Sequence, residues 1–185
     1  MKKINSNQLK EFSWRSPKGK FSGAGREISE ALGWNPQSGE ARARHPFAVE
    51  ILRIAPGQTP YPYHSHSAQW EFYHVISGRG VARDESGRTA IAQGDAFIFG
   101  PGEAHQLINE SDEDLVIYVV ADDPLGESAY FPDSGKWLVR SPRTPTGGWR
   151  GAGLLRRRRM SQSRSDSRDS IGYCLTSKRQ RASSR

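Results

Sequence analysis

The sequence predicts an all-β domain. Strand-forming apolar runs recur about every 8–12 residues between Phe47 and Val120, turn-forming clusters separate them, and no helical repeat of about ten residues intervenes. Short strands at that spacing, without helices between them, close into a sandwich or barrel.

The elements follow in order. Residues 1–44 read as an N-terminal arm of mixed character. Within it, Glu27–Leu32 suits one or two helical turns stopped at Gly33. Trp14, Phe21 and Trp34 are isolated large apolar residues, expected to pin the arm to the body or across a subunit interface. Residues 45–122 carry the barrel. Phe47–Ala55 is rich in strand formers and ends at Pro56-Gly57. Glu71–Ile76 reads as a strand, and Val81–Arg83 with Thr89–Ala92 reads as a hairpin around the polar loop 84–88. Phe97–Phe99, Ala104–Ile108 and Leu115–Val120 complete the set. Phe97, Ile98, Phe99, Leu107, Val116, Tyr118 and Val120 are expected in the core, and the acidic run Asp112–Asp114 in a solvated loop. Residues 123–146 form a C-terminal extension, and 147–185 an Arg/Ser-rich tail.

Chemistry concentrates in two stretches. From Gly57 to Gly78 the chain places His64 and His66 two residues apart and Glu71 five residues later. In a strand, i and i+2 share a face, so both imidazoles can aim at one point. Glu71 is an odd number of positions beyond His66, so a turn or bulge in 67–70 must restart the chain for it to join them. Two imidazoles and a carboxylate suit Zn, Fe, Mn, Co or Ni and leave coordination positions open. The second stretch, Gly94 to Asn109, brings His105 after a Pro101-Gly102 turn at the start of a strand, a fourth ligand from elsewhere in the sheet. Closing the intervening loop is tolerable because its entropy cost grows only logarithmically.

Together these stretches resemble the two motifs of the cupin superfamily: glycine, His-x-His, Glu and glycine, then Gly-Asp, a Pro-Gly turn, His and Asn. Gly57 and Pro101 each sit one residue from the usual spacing, both in turns. The resemblance covers roughly residues 45–122. It implies a double-stranded β-helix, or jelly roll, holding one divalent metal ion through His64, His66, Glu71 and His105. The fold hosts enzymes, sensors and storage proteins alike, so it does not choose the reaction. The other His-x-His architecture, the metallohydrolase TIM barrel, needs about 250 residues and alternating helices.

The remaining candidates are weaker. Tyr63, Gln69 and Tyr73 lie near the ligands in sequence, and could bind substrate or move protons if they line the pocket; packing for the tyrosines and solvation for Gln69 are the plainer alternative. His74 is out of phase with Glu71 along its strand, so it is expected on the outer face. His45, before Pro46, reads as a surface residue.

Net charge is +7, yet residues 1–146 hold 16 Lys+Arg against 18 Asp+Glu, while 147–185 hold 11 against 2. The basicity belongs to the tail, which argues against nucleic-acid binding by the body. The tail is too poor in apolar residues to fold alone. It reads either as a disordered arm that binds nucleic acid or an acidic partner unspecifically, or as the product of a shifted reading frame. One cysteine, Cys174, excludes an intrachain disulfide framework and fits a reducing compartment. With no signal-like or membrane-spanning apolar run, a cytoplasmic protein is expected. Exposed strand edges and stray aromatics suggest a homodimer.

Three function classes follow: a metal-dependent enzyme acting on a sugar derivative or organic acid, by isomerase- or dioxygenase-type chemistry; a non-catalytic module that binds or senses a small molecule or metal; and a nucleic-acid binder acting through the tail.

Overall fold

The structure is a computed structural model and describes residues 1–35, 46–124, 126–139 and 154–156. His45, Cys174 and most of the tail lie outside the described residues. The described residues fold as an antiparallel jelly roll with almost no helix among them. Its strands are β1 (Phe12–Arg15), β2 (Ser22–Glu27), β3 (Phe47–Ile54), β4 (Ser65–His66), β5 (Glu71–Ser77), β6 (Arg79–Asp84), β7 (Gly87–Ala92), β8 (Ala96–Phe99), β9 (Gln106–Ile108), β10 (Leu115–Asp122), β11 (Ser128–Phe131), β12 (Lys136–Val139) and β13 (Leu154–Arg156). One helical turn, α1 (Ile28–Ala31), follows β2. No helix among the described residues is long and apolar enough to cross a membrane.

One wall of the barrel is a six-stranded sheet in the order β1-β2-β3-β10-β5-β8. Facing it are the three strands β7-β6-β9 and the four strands β13-β12-β11-β4. An isolated bridge between His64 and His105 joins these two groups: His64 N donates to His105 O at 3.1 Å, and His105 N to His64 O at 2.8 Å. The backbone that carries two of the three motif histidines is therefore the seam of the second wall.

The period-two pattern places the core. On β5, Tyr73 and Val75 are buried while Phe72, His74 and Ile76 are exposed. On β10, Leu115, Ile117 and Val119 point inward against Leu52 and Ile54 of β3. Ala82, Ile91 and Leu107 close the core from the opposite wall. Leu52, Ile54, Leu115 and Ile117 are fully buried, each worth about 1.5–3 kcal/mol of transfer free energy. Four residues expected in the core turn out otherwise. Ile98 is exposed, and Val116, Tyr118 and Val120 are half-buried on the outer side, because each is one position out of phase with the inward set on its strand.

The segment read as an arm continues the six-stranded sheet: β1 pairs with β2, and β2 with β3. Its glycines explain why the strand signal was weak. A Cβ on Gly23 would sit 2.6 Å from the Trp14 ring, so the missing side chain is the space that the indole fills. Within the tail, β13 adds to the edge of β12.

Turns are enforced by residues that tolerate left-handed backbone. Gly78, between β5 and β6, has φ +82°, and a Cβ there would run into the Asp114 carbonyl. Asn109 staples the β9–β10 connection. Its side-chain amide donates to Ile54 O and Glu113 O, both at 2.7 Å, and its carbonyl oxygen accepts from Ser111 N at 2.9 Å and Ser111 Oγ at 2.7 Å.

Candidate metal centre

His64 and His66 come from the second wall, and Glu71 from the first. Residues 67–70 carry the chain from β4 across to β5, which is how a carboxylate out of phase with both histidines comes to face them. One potential ligand atom from each of His64, His66 and Glu71 lies within 4.8 Å of the others, so these three form a group that could hold a metal ion. His105 stands beside them: its Nε2 is 2.8 Å from Glu71 Oε2, and its ring centroid 4.7 Å from that of His64.

Each of the three imidazoles is anchored through Nδ1 to an oxygen. His64 uses Pro62 O (2.8 Å), His105 uses Glu103 O (3.1 Å), and His66 uses Glu127 Oε1 (3.2 Å). With the Nδ1 proton fixed on an oxygen, Nε2 is the nitrogen turned to the site, and the one that would give up its proton to offer a lone pair to a cation. The Nε2 atom of His66 is buried, has no hydrogen-bond partner among the described residues, and lies 3.4 Å from Glu71 Oε2. Donors bound to one ion at about 2.0–2.2 Å lie roughly 3–3.5 Å apart, so an ion between these two atoms fits.

The electrostatics suit a cation. Burial pushes the His64 imidazole down to about 4, helped by the neighbouring His105. For His66, burial also pushes down, but Glu127 and Glu71 outweigh it and hold the group up at about 9. Glu71 is driven up by burial, yet the His105 hydrogen bond and the nearby His66 and His64 imidazoles take it well below the ordinary carboxylate range. The carboxylates are thus compensated by imidazole protons, a positive charge that a bound cation would replace.

The walls are aromatic. The Phe99 ring stacks on His105 (4.2 Å, 3°), and Phe131 lies 6.1 Å from His64. Tyr61 meets His64 edge-on at 6.3 Å and is backed by Trp14 at 5.4 Å, which stacks on Phe12 at 5.5 Å. Of the three acid–base candidates, Tyr73 is at the site: its hydroxyl donates to Glu71 Oε2 at 2.8 Å and lies 3.3 Å from His105 Nε2. Tyr63 instead lies under the Arg83 guanidinium, 4.0 Å away, since alternation turns it opposite to His64. Gln69 donates to Asp122 O and braces the crossover. His74 is exposed on the outer face.

Three carboxylates escaped the sequence reading. Glu127 is 1% exposed and contacts His66. Glu27 and Glu50 are register partners on β2 and β3, in the row that continues through Val119 to Tyr73. Burial first, then Glu27 and Glu71, push Glu50 up to about 8, and burial with Glu30 pushes Glu27 up to about 7. A carboxyl group kept protonated near neutral pH can donate a hydrogen bond or a proton to a ligand oxygen. A strand glutamate paired with another glutamate carries no motif; only the fold brings it to the site.

Residues 50–121 match the cupin domain family. A curated relative, the oxalate-binding protein of Thermotoga maritima, is 29% identical over 69 residues, 37% of this chain, and the match spans 56% of that relative's length. Among solved structures, a sugar phosphate isomerase of the cupin superfamily from Silicibacter pomeroyi is similar with a TM-score of 0.67 at 21% identity, covering 84% of this chain and 93% of that one. A Thermotoga maritima protein predicted to be an oxalate decarboxylase is similar with a TM-score of 0.52 at 21% identity, covering 65% of this chain and 98% of that one. At these identities the structural likeness is one of fold.

Proposed function

We propose that the cupin domain of residues 50–121 holds one divalent metal ion through His64, His66, Glu71 and His105, and acts there as an enzyme on a small oxygen-rich substrate, a sugar derivative or an organic acid. The observation that carries this is the convergence of one ligand atom each from His64, His66 and Glu71 within 4.8 Å, with the buried His66 Nε2 facing the Glu71 carboxylate across 3.4 Å. Two imidazoles and a carboxylate at such separations are a donor set that suits a divalent cation. The sugar phosphate isomerase and oxalate-binding names among its relatives support an oxygen-rich substrate.

When bound, the ion supplies Lewis-acid polarisation of a chelating oxygen, or redox chemistry if it is iron. The chain supplies the rest. Phe99 and Phe131 exclude water around the imidazoles. The Tyr73 hydroxyl, shared with Glu71, stands where it can hand a proton to a bound oxygen. Glu50, protonated near neutral pH, offers a second donor from the same cross-strand row as Tyr73.

Metal analysis of protein purified without added metal tests the first part. Less than about a tenth of an equivalent, with none taken up on reconstitution, defeats it. Turnover of aldoses, sugar phosphates and dicarboxylic acids tests the second, and Tyr73→Phe should lower kcat without loss of metal. The oxalate-binding relative favours a second possibility, a binding module, which thermal stabilisation by ligand without product would establish. We also propose that two copies pair through the outer sheet face bearing Phe72, Ile76 and Ile98. A monomer by sedimentation at micromolar concentration would refute that.

A further inference from the structure

We infer that Glu127 is the positioning residue of His66: its carboxylate, carried beyond the 50–121 cupin match, fixes which imidazole nitrogen faces the ion. This rests on the metal reading above. Glu127 Oε1 lies 3.2 Å from His66 Nδ1 and accepts from Ser67 N at 3.0 Å, while Oε2 accepts from Ala68 N at 2.9 Å and Ser67 Oγ at 3.4 Å. The residue is 1% exposed, and a charge buried that deeply persists only with partners of this kind.

A purely structural role accounts for less. The Ser67–Ala68 turn is already held by main-chain pairing, with β4 against β11 and Ser67 N donating to Ser128 O at 2.8 Å. An acceptor for the Ala68 amide needs one oxygen, and Ser67 N already has Ser128 O, so neither amide requires the second oxygen that is set against Nδ1. The other two imidazoles make the comparison. His64 and His105 are anchored by neutral backbone carbonyls, whereas His66 is anchored by a carboxylate. A charged acceptor on Nδ1–H orients the ring and increases electron donation by Nε2, and loss of such a partner costs about 10- to 100-fold in metal affinity. His66 is thus the strongest imidazole donor of the three, and its strength comes from a residue outside the 50–121 family match.

The test uses the full chain loaded with Co²⁺, whose paramagnetism shifts the exchangeable Nδ1–H signals of bound histidines out of the envelope in proton NMR. The wild type should show three such signals, from His64, His66 and His105. Glu127→Ala should lose the His66 signal to solvent exchange, keep the other two, and bind Co²⁺ about 10- to 100-fold more weakly. Glu127→Gln, which keeps an oxygen acceptor without charge, should retain three signals with an intermediate loss. Circular dichroism of the metal-free variants checks folding; if Glu127→Ala does not fold, wild-type affinity in Glu127→Gln overturns the inference. So does wild-type affinity with three signals in a folded Glu127→Ala. A wild type that takes up no Co²⁺ instead defeats the metal reading, and the inference with it.

Discussion

Replacing Asn109 should reveal how much of the domain's stability the β9–β10 staple supplies. Its side chain makes four hydrogen bonds at 2.7–2.9 Å and is fully buried. Two of them satisfy the Ile54 and Glu113 carbonyls, which an alanine leaves without that donor. Neutral bonds contribute about 0.5–1.5 kcal/mol each, and a stranded buried group costs about 1–3 kcal/mol. Water can reach the exposed turn at Ser111 and Glu113, but not the buried end of β3. Asn109→Ala should therefore lose about 2–4 kcal/mol, a large share of the roughly 5–15 kcal/mol typical of a domain. Asn109→Asp is the sharper probe. It keeps the shape but points a second oxygen at two carbonyl oxygens, so the folded-state pKa of the new carboxyl rises above the unfolded value. The folded state then binds the proton more tightly. Protonated, the new carboxyl can donate to only one of the two carbonyls, so Asn109→Asp should already cost about 1–3 kcal/mol at pH 3 and progressively more as pH rises through the carboxyl titration. Urea unfolding of the three proteins from pH 3 to pH 8, at unchanged m-value, measures this. If the aspartate and alanine variants track each other at every pH, or both fall within about 0.5 kcal/mol of wild type, the staple does not work as described.

Three further outcomes follow. His64→Ala should abolish stoichiometric metal uptake, while His74→Ala, altered on the outer face, should bind as wild type does; equal retention in both would refute the ligand assignment. Glu50 stands at about 8 in the folded protein against an ordinary 4.5, so the folded state holds a proton that the unfolded chain releases between those values, and stability falls as pH rises through that window. Glu50→Gln should therefore gain on wild type from pH 4.5 to pH 8 and then level off; a constant difference in denaturant midpoint would count against it. Gly78→Ala combines positive φ with a collision at the Asp114 carbonyl, whereas Gly57→Ala has positive φ and open space around it. Thermal melts should rank Gly78→Ala as more damaging, by about 1–3 kcal/mol.

The barrel was legible because its core strands obey period two and its turns use glycine, proline and acidic residues. The His64, His66 and Glu71 grouping was legible from spacing, including the need for a break between His66 and Glu71. Alternation puts His74 outside, and it does the same for Ile98 and Val120, which look like core only when hydrophobicity is read without phase. β2 escaped because its strand formers are diluted by Gly23 and Gly25, whose missing side chains make room for the Trp14 and Phe12 rings on β1, and β1 escaped because it is only four residues long. Glu127 and Glu50 escaped for a different reason. Each acts through residues tens of positions away, and nothing local marks a glutamate that long-range pairing will bury.

The aromatic column behind His64 has a practical consequence for anyone trimming the protein. Phe12, Trp14 and Tyr61 stack in succession before the imidazole is reached, and the first two belong to the opening residues of the chain. A fragment cut at the recognisable motifs would retain every ligating atom yet lose the backing that stops one of them from tilting. Such a minimal version should bind its ion more loosely and exchange it faster, although no coordinating side chain has been touched.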